Sequence, residues 1–127
     1  MIIKNFTPHD INIIAKESCE YVPEIRKYVL KDPKPRIIRT IPSSGMLSAQ
    51  MEEKVELEIE GIEISVRKVI SCDPIPEGDI IIVSALYANA CRIAGLDTTR
   101  LFIIKDPVYD AENGLKIVGC LGLSVPF

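Results

Sequence analysis

An unbroken apolar run of β-branched residues, Ile80 to Val83, is followed at once by Ser84 and by the helix-favouring stretch Ala85 to Ala94, which ends at Gly95. Such a run predicts a strand buried on both faces. Ser84 stands where an N-cap belongs, because its hydroxyl can accept a free backbone N–H of the helix behind it. Leu86, Ala90, Ile93 and Ala94 fall at i, i+4, i+7 and i+8 and are expected to form the buried face. Gly95 is a natural stop, since it adopts the left-handed conformation at little cost. A buried strand feeding a short helix is a rigid platform. It leaves Tyr87, Asn89, Cys91 and Arg92 on the remaining faces, with Asn89 and Arg92 as i, i+3 neighbours.

The rest of the chain is punctuated by turns. Ile2 and Ile3 begin a first strand, the segment Asn5 to Asp10 breaks it, and Ile11 to Ile14 start another, so residues 2–15 are expected to form a hairpin. Tyr21, Val22, Ile25, Tyr28 and Val29 repeat with helical spacing behind Pro23, which predicts a helix of about two turns. Arg36 to Ile41 is short and extended, and Pro42 to Gly45 is a turn. Val55, Leu57 and Ile59 alternate with Glu, Glu60-Gly61 turns, and Ile62, Ile64 and Val66 alternate again. This pattern predicts an antiparallel hairpin with one buried and one wet, mostly acidic face. Leu101 to Ile104 is a further strand closed by Lys105-Asp106-Pro107. Asn113-Gly114 is a strong hairpin signal, and Lys116 to Leu123 is the last strand, where Gly119 and Gly122 suggest a bulge or a close backbone approach. The sum is one domain over residues 1–127, of α+β class: mostly antiparallel sheet with one or two short helices packed against it.

Composition narrows the function. With 127 residues the chain suits a single domain with a real core. A net charge of −3 makes it a poor non-specific ligand for DNA, RNA or an anionic membrane; a small anion needs only two or three placed cations. Cys19, Cys72, Cys91 and Cys120 have neither metal-ligand nor CxxC spacing, and His9 is the sole histidine. Neither a metal site nor a disulfide framework is expected, and the cysteines read as reduced core thiols. The start lacks a signal-peptide pattern and no apolar run reaches the length of a membrane span, so a cytoplasmic location is expected.

Motifs of hydrolases and cofactor enzymes are absent: GxSxG, HExxH, a Walker A loop and GxGxxG do not occur. No catalytic residue and no cofactor is therefore assigned. The cations carry the chemistry instead. Arg36, Arg39, Arg92, Arg100 and Lys105 lie in loops or at the ends of elements, where sites are usually built. Guanidinium groups can hold a pyrophosphate bidentately. Asn89 and Asp106 can hydrogen-bond a base or ribose, Ser84 sits at the platform's junction, and Tyr87 either stacks on a base or covers the core.

The chain also carries Asn5-Phe-Thr-Pro-His9, Ile41-Pro-Ser-Ser-Gly45, Ile82-Val-Ser-Ala-Leu-Tyr-Ala-Asn-Ala90, Lys105-Asp106 and Ile117-Val-Gly-Cys-Leu-Gly-Leu123. In this order the set resembles the anti-Thoeris proteins of phages and prophages, along nearly the whole chain. Phe6 stands where that family has Leu, and Lys105 where it has Arg, a point charge in place of a fork. The resemblance implies a sponge that sequesters glyco-cyclic ADP-ribose made by bacterial TIR-domain enzymes, with cyclic oligonucleotides as further ligands. It implies binding without degradation, in the cytoplasm of the host bacterium. It also implies self-association into dimers or a higher homo-oligomer such as a hexamer, with ligand pockets at or near subunit contacts. Two other readings are a small phage structural or assembly protein with no small-molecule site, and a nucleotide hydrolase working through His9 or a carboxylate.

Overall fold

The structure, a computed structural model, describes residues 1–114 and 116–127. Ten strands and one α-helix follow one another: β1 (Ile3–Asn5), β2 (Ile11–Ile14), β3 (Cys19–Val22), β4 (Lys27–Leu30), β5 (Ile37–Ile41), β6 (Ala49–Ile59), β7 (Ile62–Cys72), β8 (Ile80–Ile82), α1 (Ala85–Ile93), β9 (Leu101–Tyr109) and β10 (Ile117–Ser124). Eight strands form one sheet with the path β1-β8-β9-β10-β2-β5, and the hairpin β3-β4 joins it at β9. The two ends of the path meet again. Asn5 at the end of β1 bridges Ser43, just beyond β5, and the Ser44 N–H donates to the Asn5 carbonyl at 2.7 Å. The sheet is thereby a nearly closed barrel.

The α+β expectation is corrected by this architecture. Among the described residues half are in strands, and α1 is the one helix of seven residues or more; a three-residue 3-10 turn, Lys16–Ser18, is the other helical piece among them. The segment Tyr21 to Leu30 is a hairpin, with Tyr21 opposite Tyr28 and Val22 opposite Lys27. Pro23 opens its turn and does not start a helix. Arg26 closes that turn with φ of 53°, a left-handed residue that ends any helical continuation. Residues 2–15 are not a hairpin either. β1 runs parallel to β8, while β2 lies parallel to β10 and antiparallel to β5.

The platform forms as expected, with a different buried face. Ile82 points into a cluster with Ile11, Ile41 and Cys120, and Ile81 and Val83 point the other way, towards Tyr87, Ala88 and Cys91 of α1. Ser84 Oγ accepts the Tyr87 N–H at 3.2 Å, and Gly95 has φ of 78°. The helix buries Tyr87, Ala88, Ala90 and Cys91, whereas Leu86, Ile93 and Ala94 are exposed. Burial of the larger Tyr87 decides the rotation, because its ring removes far more surface from water than Leu86 would lose by exposure.

β9 continues past the point where Lys105-Asp106-Pro107 was expected to end it. On one edge it pairs with β8 at Leu101 and Phe102, then with β4 at Val108 and Tyr109. Asp106 lies between these partners with φ of 50°, so the strand bends from one neighbour to the other while keeping β10 opposite. The Asn113-Gly114 signal holds: β9 and β10 form a hairpin closed by the Asp110 N–H to Lys116 carbonyl bond. A Cβ on Gly119 would come within 2.5 Å of the Asn12 carbonyl oxygen, the close approach its sequence suggested; Gly122 meets no such neighbour.

β6 and β7 form a separate two-stranded sheet of 11 residues per strand, roughly 35 Å long at ~3.3 Å per residue. Only its root is covered: Ala49 and Cys72 pack on the cluster of α1 and β8. The expected buried face is exposed within the chain. Leu57 is opposite Ile64 and Ile59 opposite Ile62, and all four are at least 39% accessible.

Candidate functional site

The segment Asn5 to His9 is a knot tied by one amide. Asn5 is fully buried. Its Nδ2 donates to the carbonyls of His9 (2.8 Å) and Ile41 (3.1 Å), and its Oδ1 accepts from the N–H and hydroxyl of Thr7 (2.9 and 2.6 Å). Two donors and one two-lone-pair acceptor are all used, as burial demands. Ser43 Oγ then donates to the Thr7 carbonyl at 2.6 Å, and the Ser43 N–H donates to Asp10 Oδ1 at 2.8 Å. The loop before β2 is thus held against the loop after β5, with the carbonyl of His9 as one of its fastenings.

This knot forms one wall of a cavity of about 440 Å³. The carboxyl end of β8 contributes Val83, followed by Ser84 and Ala85 at the start of α1; β9 contributes Ile103 and Ile104, and β10 the stretch Ile117 to Cys120. The floor is apolar and the rim carries Thr7, His9, Asp10 and Ser84. Its size and character are those of small-molecule sites. Ala85 stands in the first turn of α1, where backbone N–H groups have no intrahelical acceptor. Burial pushes the Cys120 thiol up, so it contributes bulk and not a nucleophile.

Three of the five sequence segments named above meet in this cavity: Thr7 and His9 come from the first, Val83 to Ala85 from the third, and Ile117 to Cys120 from the last. The second, Ile41 to Gly45, braces the first from behind through Asn5 and Ser43. Reasoning from charge overlooked Thr7, Asp10, Ile103, Ile104, Ile117 and Val118.

The residues chosen for their charge do not converge within the chain. Ser84 alone of them lines the main cavity. Tyr87 is in the core, its hydroxyl donating to the Asp73 carbonyl at 2.7 Å, with burial raising its pKa; its ring covers the core and faces no ligand space. Arg92 donates to Asn89 Oδ1 at 3.3 Å and lies over the Phe127 ring, 4.5 Å from its centroid. Arg100 donates to the carbonyls of Pro76 and Gly78 and holds the loop before β8. Arg36 pairs with Glu17 at 2.7 Å in an exposed ion pair, and Arg39 is exposed on β5 opposite Ile13. Lys105 is exposed, and Asp106 lines a second cavity of about 380 Å³ with Tyr21, Arg26, Lys27, Tyr28 and Tyr109. Among the described residues, no Lys or Arg lines the main cavity, and no group of three or more His, Cys, Asp or Glu is placed to hold a metal ion.

No family model matches the chain, and neither a curated protein nor a solved structure matches it. No helix among the described residues is long and apolar enough to cross a membrane.

Proposed function

We propose that this protein sequesters a small cyclic nucleotide signal intact, as a phage or prophage anti-defence protein acting in the cytoplasm of the host bacterium, with glyco-cyclic ADP-ribose as the ligand class that its motifs suggest. The observation that carries this reading is the meeting of three separated motifs in one cavity of about 440 Å³, with a fourth bracing its wall. The isoleucine floor suits the face of a purine, and Thr7, Asp10 and Ser84 supply hydrogen bonds for ribose or base edges. The amino end of α1 offers a favourable place for phosphate. Nothing in the cavity resembles a nucleophile with an oriented base, which favours holding over turnover.

A diphosphate also needs cations, and in this reading a second copy of the chain brings them. The arm β6-β7 carries Lys54, Arg67 and Lys68 and presents Leu57, Ile59, Ile62 and Ile64 uncovered on one face. A two-stranded sheet is marginal alone in water, so the arm is suited to pack on a second copy, in a dimer or a larger assembly such as a hexamer. The test is to incubate the purified protein with the product of a TIR-domain enzyme, remove free ligand, denature by heat and identify what is released by mass spectrometry. Intact ligand near one equivalent per site is expected. Release of nothing, or of a hydrolysed product, overturns the proposal. The exposed arm equally favours a phage assembly protein without a small-molecule site; that reading predicts no thermal shift with any cyclic nucleotide and co-purification with virion components.

A further inference from the structure

Cys72 closes β7 at the root of the arm, and Cys91 lies on the buried side of α1. Their Sγ atoms are 3.6 Å apart, and both are free thiols. A disulfide needs ~2.05 Å between sulfurs, so closure asks for an approach of about 1.5 Å. The surroundings already fix the two segments against each other. Tyr87 O–H, one turn before Cys91, donates to the Asp73 carbonyl at 2.7 Å, and Ser48 at the foot of β6 is tied to Asp73 by two bonds of 2.7 and 2.9 Å. Cys19 and Cys120 lie in two other clusters of the core and have no thiol beside them.

We propose that Cys72 and Cys91 are a modification site: a dithiol that a thiol oxidant converts into an intramolecular disulfide, stapling the arm to α1. Cys72 is half-buried and Cys91 is fully enclosed, so Cys72 reacts first. Burial and the contact with Cys91 push the Cys72 thiol up to about 11, which keeps this thiol protonated at neutral pH until an oxidant acts. With an azodicarboxamide such as diamide, the Cys72 thiolate adds to one azo nitrogen. The Cys91 thiolate then attacks the Cys72 sulfur and expels the hydrazine. The two thiols lose two electrons and two protons, and the azo bond takes up both. The bond closes a loop containing β8 and most of α1, and it adds a covalent link to a root already held by hydrogen bonds.

The experiment treats the full-length protein with diamide at pH 8, then denatures it in excess iodoacetamide. Two of the four cysteines are expected to escape alkylation, and a non-reducing digest is expected to yield one peptide pair joining Cys72 to Cys91. Oxidation should raise the melting temperature by on the order of 10 °C, reversibly with dithiothreitol. Cys72→Ser should abolish both the linkage and the shift, and Cys19→Ser should keep both. Alkylation of all four cysteines after treatment, or a peptide pair linking Cys72 to Cys72 of another copy, overturns the proposal.

Discussion

A buried amide is tolerable only while each of its hydrogen-bonding groups is occupied, and Asn5 joins its own turn to a carbonyl 36 residues away. Asn5→Ala removes the side-chain partner of the Ile41 carbonyl and of the Thr7 N–H, and leaves the His9 carbonyl with the Thr7 hydroxyl alone. A loss of about 2–4 kcal/mol in urea unfolding is expected. Asn5→Asp should cost at least as much, because a carboxylate keeps the Thr7 bonds but sets negative charge against two carbonyl oxygens. A change below about 0.5 kcal/mol for the alanine variant would show that the knot is not what closes the barrel. Tyr87 makes a second residue-level expectation. Burial raises its pKa, so above pH ~10 the unfolded chain releases this proton while the folded chain retains it. The folded state then binds more protons, and stability falls as pH rises above the phenol's ordinary value. Cys72 adds to the same slope from its ordinary value of 9.0 upward. Tyr87→Phe should cost about 1 kcal/mol at neutral pH, for the bond to Asp73, and should flatten the fall seen between pH 10 and 12. An unchanged alkaline slope in denaturant titrations would contradict this assignment. Little of either role was visible in sequence: Asn5 reads as a turn former, and Tyr87 reads as lying off the helix's expected buried face, either to stack on a base or to cover the core, because their partners Ile41 and Asp73 are set by the fold.

Elements with a single consistent pattern were legible, and elements with a borrowed pattern were not. The Ile80 to Gly95 platform announces its strand, cap and stop by local chemistry, and the arm announces itself by strict alternation around Glu60-Gly61. The segment Tyr21 to Leu30 satisfies helical spacing by coincidence, since a hairpin with the turn Pro23 to Arg26 also groups Tyr21 with Tyr28. β9 is the case where backbone conformation decides. Its bend depends on Asp106 at φ of 50°, which Asp tolerates better than other side chains and Gly adopts freely. Asp106→Val should therefore cost about 2 kcal/mol, while Asp106→Gly should stay within about 1 kcal/mol of the parent. Equal losses in urea unfolding would shift the role from the backbone to the carboxylate. The face of the arm shows what alternation cannot tell. Leu57, Ile59, Ile62 and Ile64 share a side as the pattern requires, but nothing in one chain covers them.

Across the whole molecule, pairing of β10 with β2 sets Cys120 beside Ile13, more than a hundred residues away along the chain, and closure at Asn5 and Ser43 braces the loop that precedes β2, so the place where these segments meet could not be read along the chain. The cations misled for the converse reason. Spacing along a chain says nothing about distance across a barrel, and Arg36, Arg92 and Arg100 each found a local partner in Glu17, Asn89 and the loop carbonyls of Pro76 and Gly78. If the cavity holds the body of a nucleotide, charge for its phosphates has to arrive from elsewhere, and the arm of a second copy carries Lys54, Arg67 and Lys68 beside an uncovered apolar face, with Glu53 and Glu52 opposite the last two. Two variants separate these contributions. Replacing the arm tip from Val55 to Val66 by a short turn should leave the barrel folded with an unchanged far-ultraviolet signature for the remaining strands. It should yield a monomer in sedimentation and lower ligand retention by more than tenfold. Replacing Arg67 and Lys68 by Gln in the full arm should keep the assembly, because the apolar face is intact and no like charge is set opposite Glu53 and Glu52, yet lose retention by a similar factor, since each lost charge-assisted bond is worth ~1.5–3 kcal/mol. A shortened monomer that retains ligand as well as the parent would mean that one chain builds the complete site and that the arm serves assembly alone.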